Sequence, residues 1–97
     1  MATYVSLLKF TEKGAKGIKD TVKRAADFKT AAKKLGLEIK GEYWCLGAFD
    51  GLCIFDAADD ETATAGMLSL STLGNVTTQT MRSFTATEMN KILGKVP

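Results

Sequence analysis

The side chains with most to offer chemistry are few and scattered. They are Asp50 at the end of Gly47-Ala48-Phe49-Asp50, Arg24 in a Lys-rich segment, Tyr4 and Tyr43 in β-prone stretches, and the alternating row Thr78, Thr80 and Arg82. A carboxylate at a hairpin tip can serve as a general base or a ligand anchor. It can equally hold its own turn by bonding nearby backbone. Arg24 can grip a carboxylate or phosphate through two parallel hydrogen bonds, or pair with Asp20, Asp27 or a neighbouring subunit. Tyr43 and Trp44 are adjacent, so they point to opposite faces of a strand, one toward helices and the other toward a partner. Either can wall a pocket or simply pack. Thr78, Thr80 and Arg82 share a strand face and can line a small polar cavity, although Thr is also an ordinary strand former. Tyr4 adds a hydroxyl to the same space if it lies on the same side. That row is where a bound molecule is expected first.

Composition removes several chemistries. With no His in the chain, Ser–His and Cys–His nucleophile pairs, His-ligated haem and His-containing zinc or iron sites are all absent. The two Cys are not spaced Cys-x-x-Cys and cannot make a tetrahedral zinc site without carboxylates. An oxygen-only metal site is the remaining kind; no metal and no cofactor is expected. Cys45 and Cys53 flank Phe49 symmetrically, so a five-residue loop would set them opposite each other. A one-residue slip separates them, and in a reducing compartment two free thiols are expected. Gly14-Ala15-Lys16-Gly17, with Lys13 and Lys19 nearby, suits weak anion binding at a helix start. It matches neither a Walker loop nor a dinucleotide fingerprint.

The 97 residues, 45% of them apolar, fit one globular domain spanning 1–97. The net charge of +2 is uneven: residues 1–44 carry ten Lys/Arg and five Asp/Glu, residues 45–97 three and six. The positive excess belongs mainly to one Lys-rich helix and reads as a solvated face, so no nucleic-acid partner is expected. No window approaches the ~20 apolar residues of a membrane span, and no basic start leads into an apolar stretch. A cytoplasmic protein without a membrane partner is expected.

These residues need elements to position them. Thr3 to Phe10 is β-prone and apolar on both faces, with Tyr4, Leu8 and Phe10 on one and Val5 and Leu7 on the other, the pattern of a doubly buried strand. A loop or frayed turn through Thr11, Gly14 and Gly17 leads into a helix with the stripe Ile18, Val22, Ala25, Phe28, Ala32 and Leu35, closed by Gly36. Glu38 to Leu46 alternates as a second strand, Gly47 to Gly51 turns, and Leu52 to Phe55 is a short third strand. Asp59-Asp60-Glu61 opens a second helix, striped by Ala63, Met67, Leu70 and Leu73 and stopped by Gly74. Val76 to Phe84 is a Thr-rich fourth strand. Thr85-Ala86-Thr87-Glu88 has capping-box spacing before a short helix through Met89, Ile92 and Leu93.

The order β-α-β-β-α-β plus a C-terminal helix is the ferredoxin-like arrangement of an α+β protein. Two helices cover one sheet face. The other, carrying Tyr4, Leu8, Tyr43 and Cys45 or their alternates, is too apolar to leave wet. A second subunit packing sheet against sheet, as a dimeric α/β barrel, is the economical cover.

Gly47-Ala48-Phe49-Asp50 resembles the signature of the GYD domain family. Tyr4 to Phe10, Lys19-Asp20, Arg24 and Leu73-Gly74-Asn75-Val76 leading into Thr78 and Thr80 extend the resemblance along essentially the whole chain. Phe49 stands where the family usually has Tyr, and Ala58 where it usually has Pro, so any role for that Tyr hydroxyl is absent. The resemblance implies a ferredoxin-like, dimeric α/β barrel fold and carries no activity with it. More widely, the Gly-x-x-Asp hairpin followed by Gly-x-Val and alternating Thr is similar to the effector-binding domain of feast/famine (Lrp/AsnC) regulators, which bind small molecules at subunit interfaces. The expectation is a homodimer, or a higher even-numbered homo-oligomer, that binds a small organic molecule at a pocket or subunit interface. The alternatives are a cofactor-independent monooxygenase or isomerase with Asp50, Tyr43 or Tyr4 in acid–base roles, and a structural oligomerisation module.

Overall fold

In a computed structural model covering residues 1–97, the chain forms β1 (Ala2–Phe10), α1 (Glu12–Lys16), a 3-10 turn (Ile18–Asp20) and α2 (Thr21–Lys34). It continues through β2 (Glu38–Trp44), β3 (Gly51–Ala57), α3 (Asp60–Thr72), β4 (Val76–Ser83) and α4 (Ala86–Leu93). The strands make one four-stranded sheet in the order β2-β3-β1-β4, with every neighbouring pair antiparallel. This is the ferredoxin-like topology. No helix is long and apolar enough to cross a membrane.

Period-two alternation along the strands divides the sheet into two faces. Tyr4 and Ser6 of β1 and Cys53, Phe55 and Ala57 of β3 are buried with Phe28 and Ala32 of α2, Leu37, and Ala63 and Met67 of α3. Tyr4 stacks on Phe55 with ring centroids 5.3 Å apart. The buried Ser6 hydroxyl is satisfied by the Thr80 hydroxyl at 2.9 Å. On the opposite face Val5, Leu7, Leu52 and Ile54 are only half-buried, flanked by Tyr43 and by Met81, which are 60% and 49% exposed. The uncovered apolar face therefore exists, but Tyr4 and Leu8 belong to the helix side and their alternates form it. The sheet of one chain is open and closes no barrel.

α2 differs from the expected stripe. Ile18 lies in the 3-10 turn and Val22 sits off the inward row; both are exposed, as is Leu35. The face toward the sheet runs Thr21, Ala25, Phe28 and Ala32, because the helix takes its phase from Thr21 rather than Ile18. The segment expected as a loop is partly helical: the Thr11 side chain accepts from the Gly14 amide and caps α1. Gly36 and Gly74, with φ of +91° and +78°, end α2 and α3 in the left-handed region as expected. At the other end of the chain, the capping box Thr85–Glu88 starts α4. α4 then makes no substantial packing contact with the body, and the molecule is elongated, 51 × 31 × 17 Å.

The β2–β3 hairpin turns over residues 45–50, not 47–51: Trp44 pairs with Gly51 and Glu42 with Cys53, and β2 carries a register shift between Ile39 and Gly41. Cys45 and Cys53 are consequently not opposite each other. Both are free, Cys45 exposed and Cys53 buried. Asp50 fixes the turn against β1: its amide donates to the Leu8 carbonyl at 2.8 Å, and its carboxylate accepts from the Phe10 amide at 2.8 Å.

α1 docks on the α3–β4 turn at close range. A Cβ placed on the buried Gly14 would lie 2.0 Å from the Asn75 carbonyl oxygen, which already accepts from the Thr11 amide at 3.0 Å. Gly14→Ala is expected to lower stability by about 1–3 kcal/mol through overpacking against backbone, read from the midpoint of urea unfolding. An unchanged midpoint would show that this junction yields freely.

Candidate functional site

Two recesses lie on the helix side of the sheet. One is a cavity of about 90 Å³ at the hairpin end, between α2, α3 and the sheet, with Leu8, Phe10, Ala25, Phe28, Leu70 and Val76 among its apolar walls. Trp44 closes one side; its indole N–H donates to the Thr21 hydroxyl at 3.0 Å, which fixes the ring against α2. The ionisable side chains bordering this cavity include Arg24, Glu42, Asp50 and Cys53.

Three of those four are accounted for within the chain. The Arg24 guanidinium donates to the carbonyls of Gly17 at 2.5 Å and Gly14 at 3.2 Å, tying down the segment before α2. It pairs with neither Asp20 nor Asp27, and Asp27 is taken by Lys23 at 3.1 Å. Asp50 binds the Phe10 amide, which lies beyond the last β1–β3 pair, Leu8–Gly51, and has no ladder partner there. Burial, reinforced by the Glu42 charge, pushes the Cys53 thiol up to about 12, so it stays protonated and inert.

Glu42 is different. It pairs across the sheet with Cys53, is half-buried, and has no hydrogen-bonding partner. Burial raises its carboxyl above the ordinary carboxylate range, with the Lys29 charge pulling the other way. The sequence reading missed this residue. The available signal was its parity with Trp44: two residues apart on one strand, the acid and the indole share a face. Tyr43, between them, has its ring on the opposite sheet face, against Gly41.

The second recess is a groove of about 440 Å³ between α3 and β4. The pairings Tyr4–Arg82, Ser6–Thr80 and Leu8–Thr78 put the expected row on one face with Tyr4, and Tyr4, Thr78, Thr80 and Arg82 all line the groove. The Tyr4 hydroxyl donates to Asp60 at 2.5 Å. That bond, then burial and the Asp60 charge, hold the phenol above its usual range, while Arg82 acts the other way. Arg82 donates to the Thr3 carbonyl at 3.3 Å and to the Ser83 carbonyl, pairs with Glu88 at 3.2 Å, and lies over the Tyr4 and Phe84 rings. Hydrogen bonds to the Thr85 amide and to Arg82 hold Glu88 below the usual carboxylate range. Tyr4, Thr80 and Arg82 are thus engaged within the chain, Arg82 forming a seam that ties the base of α4 to the sheet.

The seven candidate residues therefore divide. Arg24, Tyr43 and Asp50 border the apolar cavity, Tyr43 with its ring turned against Gly41, and Tyr4, Thr78, Thr80 and Arg82 border the groove. No group of three or more His, Cys, Asp or Glu side chains is placed to hold a metal ion.

Asp50→Ala is expected to lower stability by about 1–3 kcal/mol, because the part-buried Phe10 amide loses its acceptor. Glu42→Gln is expected to act in the opposite sense. The Glu42 pKa is higher folded than unfolded, so its ionised form weakens the fold above the ordinary carboxylate range. The variant should melt higher than wild type at pH 7, and that gain should vanish as pH falls below both pKa values. Thermal melts at pH 7 and pH 3 check this; a Gln that destabilises at pH 7 would mean that the carboxylate has a partner in the fold.

No curated protein and no solved structure matches the chain. The GYD domain matches residues 4–93, a span that takes in the sheet, both recesses and α4. The chain belongs to the GYD domain family.

Proposed function

We propose that the protein is a cytoplasmic small-molecule binding module that works as a homodimer or a higher even-numbered homo-oligomer. The observation that carries the binding reading is the cavity beneath Trp44, apolar in its walls with one unpartnered carboxylate, Glu42. Small-ligand sites are concave and mostly apolar, with a few polar groups that fix orientation. A volume of about 90 Å³ admits a body of about three or four carbon atoms, since a cavity near 150 Å³ takes benzene.

The assembly reading rests on the half-buried Val5, Leu7, Leu52 and Ile54 and on α4. Met89 and Leu93 of that helix are 45% and 52% exposed, and Val96 beyond it 62%. Exposed apolar surface of this kind supports an interface, and a second copy laid sheet to sheet would complete the α/β barrel that the family resemblance implies.

Glu42 also favours a second reading. A carboxyl raised by burial in an apolar cavity suits proton transfer near neutral pH. In a cofactor-independent monooxygenase or isomerase it would be the acid–base group, rather than Asp50, Tyr43 or Tyr4.

Native mass spectrometry of gently purified protein tests both parts. An even-numbered oligomer carrying a discrete small-molecule adduct is the expected result, and Leu7→Glu should yield folded monomer. A wild-type monomer at micromolar concentration would end the assembly reading.

A further inference from the structure

The class of ligand follows from which polar groups around the cavity are already engaged. Arg24 is held by two backbone carbonyls, Asp50 by the Phe10 amide and the Trp44 N–H by Thr21. Cys53 is a buried neutral thiol. An anionic ligand would find the cavity's one guanidinium fixed on two backbone carbonyls and two carboxyl groups, Glu42 and Asp50, on the same walls. Glu42 remains, half out of water and without a partner, and a carboxylate in that position is stabilised most by a cation with donor hydrogens. The exposed Lys29 of α2 acts on Glu42 through its field, without a hydrogen bond or ion pair.

Resting on the reading that this cavity binds a small molecule, we propose that it takes a short alkylamine. The ammonium sits on the Glu42 carboxylate and the hydrocarbon lies among Leu8, Phe28, Leu70 and the Trp44 indole. An isosteric alcohol keeps the apolar contact and can donate one hydrogen bond to the carboxylate, but it lacks the positive charge and the further donors of an ammonium. An isosteric carboxylate meets like charge.

The full-length protein should be titrated at pH 7 and constant ionic strength with n-butylammonium, n-butanol and n-butyrate. The fluorescence of Trp44, the chain's single Trp, is the readout, with backbone amide shifts in parallel. Butylammonium is expected to saturate at roughly tenfold lower concentration than butanol, as about 1.4 kcal/mol of charge assistance implies, and butyrate is expected not to bind. Glu42→Gln should remove the amine's advantage while leaving butanol binding within about twofold. Lys29→Ala, which removes the competing cation, should strengthen amine binding.

Equal binding of amine and alcohol, a preference for butyrate, or an amine preference that survives Glu42→Gln would each overturn the proposal while leaving the cavity a binding site. Silence from all three probes would overturn both.

Discussion

β1 is bonded to β3 on one side and β4 on the other, and its side chains alternate between two apolar faces of which the chain covers one. The other elements answer to that strand. α2 and α3 bury its Tyr4 and Ser6 side, and the β4 register that satisfies Ser6 through Thr80 also lays Arg82 beside Tyr4. Val5 and Leu7, on the far side, are left half-buried by the chain itself. A domain of this size buries a modest share of its surface alone, and the far side of its central strand adds little to that share.

The end of β1 is settled by Asp50. One residue uses its amide on Leu8 and its carboxylate on Phe10, which pins the hairpin to the strand it would otherwise only neighbour. With the hairpin anchored there, Trp44 must face Gly51 and Glu42 must face Cys53. The apolar cavity, its indole wall and its lone carboxylate all descend from that anchor. Asp50 matters to the cavity by shaping it, and its own oxygen is engaged by backbone.

Element order, the two-helix layer, the glycine stops and the Thr85–Glu88 cap were legible in the sequence, because periodicity and end signals are local. So was the grouping of Tyr4 with Thr78, Thr80 and Arg82, since parity along a strand needs no tertiary knowledge. The hairpin register was not legible. The symmetric spacing of Cys45 and Cys53 about Phe49 pointed to one turn, and a long-range bond from Asp50 to β1 chose another. Ile18 and Val22 misled because a 3-10 turn interrupts the helical phase before Thr21. The engagement of Arg24 and Arg82 with carbonyls was equally invisible, since backbone acceptors leave no trace in composition.

The extra residue in β2 has a consequence for how such a cavity can diversify. Ile39 pairs with Phe55 and Gly41 with Ile54, so the strand changes parity at Lys40. Strict alternation from Ile39 with Lys40 paired in the ladder would instead send Tyr43 inward and put Glu42 and Trp44 on the opposite face. A phenol would then line the cavity in place of a carboxylate and an indole. In this fold the chemistry offered to a ligand turns on whether one residue of an edge strand is looped out of the ladder or paired within it, with every side chain that contributes to it left unmutated.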